Sequence, residues 1–168
     1  MTGKLYLTMA MSKDLRLIAF RVGSETFVVD IMAVRQIIKY GGTTPVPTAP
    51  SFVEGIMILR NEVIPIVDMR DRLNATADRA EKPLVLITDT SAGPIGLKVD
   101  EVRRIVNVGR DSLLPPPPLV RAIRGELLIA IVHQDDEVYL LVDVDAVLSS
   151  DEKMELRSAD LASVAERV

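Results

Sequence analysis

Apolar and polar positions alternate along this chain in short bursts that read as strands. Residues 15–22 (LRLIAFRV) and 26–30 (TFVVD) are rich in β-branched and aromatic side chains. They flank Gly23-Ser24-Glu25, which predicts a hairpin. Ile31, Val34, Ile37 and Ile38 then fall at helical spacing, so a short helix is expected, stopped by Gly41-Gly42 ahead of the loop TTPVPTAP. Two more strands, 55–59 and 63–67, surround Arg60-Asn61-Glu62, a charged interruption in an otherwise apolar run. Asp68 stands where its side chain can accept from free backbone N–H groups and so cap the helical segment MRDRL.

The same order recurs from Leu84: strand LVLITDT, turn Ser91-Ala92-Gly93, strand IGLKV, then EVRRIVNV, whose Val102, Arg103 and Ile105 match Val34, Arg35 and Ile37 of AVRQIIKY. A proline-rich loop follows in both places. EVYLLVDVDAVL (137–148) lies beside EVIPIVDMRDRL (62–73), with Glu, Val, Val, Asp and Leu at corresponding positions, so Asp143 is the counterpart of Asp68 and is expected to cap likewise. Amphipathic hairpins resemble one another by default, but five elements repeated in one order indicate duplication. Short strands, Gly and Pro turns and the lack of long crossover helices predict a mainly β fold of two small barrels rather than a parallel sheet. The halves run from about 15–73 and 84–148, each too small for a sufficient core of its own, so they are expected to pack together along a groove-like seam.

Residues 1–13 read as a leader, and Met11 is an alternative start. The tail 149–168 opens with Ser149 and Glu152, the S-x-x-E capping box of a helix, and Met154, Leu161, Val164 and Val168 form its apolar stripe. That helix either packs back on the body or serves a partner.

Composition removes several functions. The net charge of −4 with scattered basic residues opposes nucleic-acid binding, which draws on clustered Lys and Arg. Aromatic residues at 4% offer few stacking platforms for bases. No run approaches the roughly 20 apolar residues of a membrane helix. With no cysteine, a disulfide scaffold and thiol chemistry are excluded, and a reducing, cytoplasmic setting is expected. No phosphate loop, dinucleotide turn, nucleophile elbow or HExxH motif occurs. The single histidine, His133, reads as an exposed strand-end residue, and the acidic run Asp143, Asp145, Asp151 and Glu152 lacks the glycine and ligand spacing of a calcium loop. The expectation is therefore no catalytic residue, no metal and no cofactor.

FVEGIMILRNEVIPIVDMRDRL resembles the signature of CheW-type coupling domains, a Gly, an apolar strand, Leu-Arg-Gly, a short link and Ile-Pro-Ile-Val-Asp-Leu-Arg. FRVGSETFVVDIMAVRQII resembles the family's first hairpin and helix and PIGLKVDEVRRIV its second, and the likeness runs from about Leu15 to Leu148. The resemblance implies a pair of five-stranded SH3-like barrels over 14–148 and an adaptor without catalysis. It implies two protein partners, the cytoplasmic tip of chemoreceptors and the regulatory domain of a CheA-type histidine kinase, met in the cytoplasm at membrane receptor arrays. By position, Val34, Gln36, Ile37, Arg60, Leu84 and Val102 fall to the receptor, and Leu114, Leu119 and Val120 in LLPPPPLVRAIRG fall to the kinase. Four prolines there would hold an extended polyproline II path. The chain departs from the family twice. Asn61 replaces the turn Gly, tolerable because Asn accepts left-handed backbone, and Gln36 stands where a Glu on the family's first helix often faces the arginine. Related alternatives are an adaptor of a gliding, pilus or developmental array, and a ligand-binding tandem barrel.

Overall fold

The computed structural model describes residues 14–47, 49–73, 75, 80–120 and 125–158. The expected leader 1–13 and the tail positions Leu161, Val164 and Val168 lie outside the described residues. The strands are β1 (Asp14–Val22), β2 (Glu25–Asp30), β3 (Val34–Lys39), β4 (Gly55–Leu59), β5 (Glu62–Asp68), β6 (Leu84–Thr90), β7 (Gly93–Val99), β8 (Glu101–Gly109), β9 (Leu113–Leu114), β10 (Leu128–Gln134) and β11 (Glu137–Val142). Helix α1 spans Met69–Leu73 and α2 spans Ser150–Ser158, with 3-10 turns at Ile31–Ala33 and Val144–Ala146. The hairpins, the MRDRL helix and the tail's helical start fall where the sequence puts them.

These strands form two curled sheets with SH3-like strand order, β8-β1-β2-β11-β10-β9 and β3-β6-β7-β5-β4. Replacing each strand of β8-β1-β2-β11-β10 by its repeat counterpart yields β3-β6-β7-β5-β4, so the two sheets share one topology. Even the parallel pairs correspond, β11 with β2 and β5 with β7. The halves of the repeat are nevertheless not the two sheets. The first sheet joins β1 and β2 of the first half to β8–β11 of the second, and the second sheet joins β3–β5 of the first half to β6 and β7 of the second, so the chain crosses between sheets at β2–β3 and at β7–β8. Beyond β3 and β8 the chain bends each time to reach the far side of the same sheet: Thr44 bridges Ile56 of β4, and β9 pairs with β10 through Leu114 and Ile131.

The helix expected from Ile31, Val34, Ile37 and Ile38 is a correction. Only a 3-10 turn forms at 31–33, capped by Asp30, whose side chain accepts from the Met32 amide, and the remainder is β3. A bulge explains the misleading period. Val34 lies opposite Thr88 and Gln36 opposite Ile87, leaving Arg35 as the extra residue. One inserted residue puts Val34 and Ile37, three apart, on the same face, imitating helical spacing. The same irregularity recurs in β8, where Phe20 opposes Val102 and Ala19 opposes Arg104, with Arg103 as the extra residue.

Both faces of both sheets are apolar, which produces three cores. Leu15, Leu17, Ala19, Val28, Val132, Tyr139 and Leu141 fill the first sheet, and Ile64, Ile66, Val85 and Ile87 fill the second. Gly96 is needed in the second, because a Cβ there would come 2.5 Å from Ile66 Cδ1 and 2.7 Å from Val85 Cγ1. The largest core lies between the sheets. Ile18, Phe20, Phe27 and Val29 of the first sheet meet Val67, Leu86, Ile95, Leu97 and Val99 of the second, with Met69, Val147, Leu148 and Leu156 closing its ends. Phe20 and Phe27 stack there with centroids 5.8 Å apart. The two halves interleave in both sheets, and the layer between the sheets is filled rather than grooved.

Polar contacts fix the junction. Where the chain crosses from β7 to β8, Asp100 is buried and takes two hydrogen bonds from Arg70, Nε to Oδ1 and Nη2 to Oδ2, each 2.8 Å, and one of 2.7 Å from the Gly23 amide. A bidentate guanidinium with a further N–H satisfies a carboxylate that burial would otherwise penalise. Helix α2 docks against this body. Ser149 and Glu152 form the reciprocal capping box, at 3.1 Å and 2.9 Å. Arg72 pairs with Glu152, Lys153 Nζ lies 3.1 Å from Asp145, and Leu156 enters the shared core. The described part of the tail therefore packs back on the body. Met154, expected on its apolar face, instead points to solvent.

Because the largest core belongs to both sheets, they should unfold together. Leu97→Ala is expected to cost about 2–5 kcal/mol, and a urea titration followed by NMR should show resonances of both sheets lost in one transition.

Candidate functional site

The turn that interrupts the apolar run is a two-residue hairpin tip. Leu59 pairs with Glu62, and both residues between them have positive φ, 51° at Arg60 and 67° at Asn61. Such turns match the twist of paired strands and favour residues that tolerate left-handed backbone, as Asn61 does. The counterpart tip between β10 and β11 repeats this with Asp135 (φ 53°) and Asp136 (φ 62°). Arg60 is exposed and has no hydrogen-bond or ion-pair partner among the described residues. On the outer face of the same hairpin, Ile58 is 54% exposed.

The receptor-side candidates divide into a rim and an outlier. Val34, Leu84 and Val102 are half-buried and pack on the shared core. Ile37 lies opposite Leu86, on the same sheet face as Val34 and Leu84, yet is 41% exposed. Its repeat counterpart Ile105 is exposed in the same way. Gln36 is on a strand, not on a helix as the resemblance had implied, and it lies half-buried opposite Ile87. The charged partner near the tip comes from Arg35, which sequence reasoning passed over. Arg35 bonds Glu62, Nη1 to Oε2 at 3.1 Å, and also bonds Asp89. Glu62 and Asp89 were visible as acidic residues at strand ends, but their meeting on Arg35 depends on the curl of the sheet.

On the kinase side, Leu114 sits on β9 and is exposed, and Leu119 is 71% exposed. Val120 is half-buried against the shared core. The extended proline path is shorter than four residues: Pro116 is buried, and residues 118–120 are already helical, Pro118 taking the first helical position that its missing N–H suits. Residues 121–124 lie outside the described set.

Both capping aspartates behave as read. The Asp68 side chain accepts from the Arg70 amide at 2.9 Å, and that of Asp143 from the Asp145 amide at 3.0 Å. Burial raises the pKa of both, most clearly understood at Asp143, whose Oδ2 has no hydrogen-bond partner among the described residues. His133 is an exposed residue of β10. Among the described residues no cluster of His, Cys, Asp or Glu is placed to hold a metal, and no helix is long and apolar enough to cross a membrane.

This twice-repeated sheet, with its interleaved halves and Arg-bearing tip, is matched by the CheW-like domain over residues 16–152. The chain belongs to the CheW-like family. It is 30% identical over 149 residues to the chemotaxis protein CheW of Treponema pallidum, covering 86% of this chain and 88% of that protein. Its identity to CheW of Rhizobium meliloti is 34% over 138 residues, covering 82% and 89%. The crystal structure of the scaffolding protein TtCheW from Thermoanaerobacter tengcongensis superposes with a TM-score of 0.74 at 25% identity, covering 82% of this chain and 94% of that one. This CheW-like chain is a non-catalytic scaffold of chemotaxis. Its candidate site is accordingly a set of surfaces rather than a reaction centre.

Asp143→Asn keeps the capping oxygen and removes the buried charge, so at neutral pH it should leave stability unchanged or raise it. Asp143→Ala, which loses the cap, should cost about 1 kcal/mol. The sign with pH follows from the raised pKa. The group's favourable contribution is complete below the ordinary carboxylate value near ~3.9 and is lost as pH rises through its higher folded value. Urea midpoints at pH 4, 5 and 7 should therefore differ more in the parent chain than in Asp143→Asn.

Proposed function

We propose that this scaffold couples the cytoplasmic tips of chemoreceptors to the regulatory domain of a CheA-type histidine kinase, working in the cytoplasm at membrane-bound arrays. The observation that carries the reading is that exposed apolar residues lie on each of two sheets joined by one core. Ile37 and Ile58 are exposed on the second sheet, which also bears the unpaired Arg60, while Leu114 is exposed on the first sheet and Leu119 follows it along the chain. Exposed aliphatic residues around an uncommitted guanidinium suit a partner helix that offers apolar anchors and a carboxylate. Leucines presented beside prolines lose little conformational entropy on binding, which suits a second, independent protein contact. Val34 and Leu84 share the sheet face of Ile37 and, with Val102 of the first sheet, pack on the shared core, while Gln36 lies on the other face of β3 opposite Ile87; all four are assigned to this side. Val120 anchors the second from beneath.

Binding of the full chain to a receptor cytoplasmic fragment and to a kinase regulatory domain tests this division. Arg60→Ala is expected to weaken the receptor complex about tenfold, or about 1.4 kcal/mol, and to leave the kinase complex within about twofold. Leu119→Asp should do the reverse. Equal losses at both partners would contradict the assignment of surfaces.

A further inference from the structure

Arg35 is the extra residue of the β3 bulge, and its guanidinium spans two strands that are not neighbours of one another. It bonds Asp89 at the end of β6, with Nε to Oδ2 at 3.3 Å and a second bond from Nη2 to Oδ1. It also bonds both oxygens of Glu62 at the start of β5, at 3.2 Å and 3.1 Å. In the order β3-β6-β7-β5-β4, β5 is three places from β3, so the Glu62 contact crosses the open side of the curled sheet. Glu62 immediately follows the Arg60-Asn61 tip and pairs with Leu59. The ion triad therefore ties the tip to the strand that carries Val34 and Ile37.

The other half has built a similar tie from a neighbouring position. Glu137, the counterpart of Glu62, bonds Arg104 at 2.6 Å, and Tyr139 joins both. Arg104 directly follows Arg103, the extra residue of its bulge and the counterpart of Arg35. A hydrogen bond from Gln134 Nε2 to the Asn107 carbonyl, 2.8 Å, closes the same gap. Both sheets thus bridge an open side with a glutamate at the hairpin tip and an arginine on β3 or β8, although the arginine differs in position. A bridge that reappears from a different residue points to the bridge, not the individual side chain, as the required feature.

We infer that Arg35 is a positioning residue for partner recognition: through Glu62 and Asp89 it holds the Arg60-Asn61 tip at a fixed distance from Ile37. This rests on the reading of that surface as the receptor side. Exposed ion pairs add little to global stability, but they can restrict the orientations of a tip before binding and so spare ordering entropy on association. A lysine would not substitute, because a point charge lacks the planar fork that reaches both carboxylates.

The test uses the 15N-labelled full chain with Arg35→Ala and with the double variant Glu62→Gln, Asp89→Asn. Both should keep the parent urea midpoint, shift the Arg60 and Asn61 amide resonances, speed their hydrogen exchange and weaken receptor-fragment binding about fivefold, with kinase-domain binding unchanged. In an Asp89→Asn background, Arg35→Glu should lose receptor binding, and adding Glu62→Arg should restore it. Unmoved tip amides in folded variants would overturn the inference whatever the receptor does. Receptor binding unaffected by Arg35→Ala but lost with Arg60→Ala would also overturn it. If Arg60→Ala itself has no effect, the receptor reading falls, while the tip amides still decide whether Arg35 holds the tip.

Discussion

The structure depends on the apolar layer between the two sheets. Each sheet is small and apolar on both faces, and neither has enough interior to stand alone, since Ile64, Ile66, Val85 and Ile87 make up most of the second sheet's private core. Packing Phe20, Phe27 and Ile18 against Leu86, Ile95 and Leu97 removes the remaining apolar faces from water. The interleaving of the halves reinforces this. Because each half of the repeat contributes strands to both sheets, the sheets cannot part without dividing each half.

The polar devices concentrate where the chain changes sheets. Asp100 stands at the crossing from β7 to β8 and receives Arg70 and the Gly23 amide, so the helix after β5 and the β1–β2 turn are held at one point. On the opposite pseudo-equivalent side, Asp145 accepts from the Ser91 amide and pairs with Lys153 of α2. These contacts set the angle between sheets that apolar packing alone leaves free, because apolar packing is non-directional while hydrogen bonds to a carboxylate are not. A fixed angle matters to an adaptor, whose two partner surfaces must be held in one relation.

The two hairpin tips show how a duplicated fold acquires different surfaces. Both use left-handed backbone at two successive residues, and both are bridged by a glutamate and an arginine. One tip bears Arg60-Asn61 and the other Asp135-Asp136. The backbone requirement is met in each by residues that accept positive φ or are held there, while the charge is free to diverge because the tips face solvent. The same freedom let an arginine appear at 35 in one half and at 104 in the other.

The sequence by itself determined the hairpins, the duplicated order, the capping aspartates Asp68 and Asp143, the Ser149–Glu152 box and the family, because these rest on local periodicity, turn chemistry and short-range hydrogen bonds. Its apolar pattern also implied that the halves need each other. Only the tertiary structure decided that β3 and β8 are strands that pair across the halves, since a one-residue bulge at Arg35 or Arg103 gives strand residues a helical spacing. It likewise decided that the seam is filled, that Leu156 rather than Met154 faces the core, and that Arg35 meets Glu62 across a sheet's open side. Each of these depends on which distant strand curls beside which, a choice made by packing both faces of two sheets at once and invisible to any window of neighbouring residues.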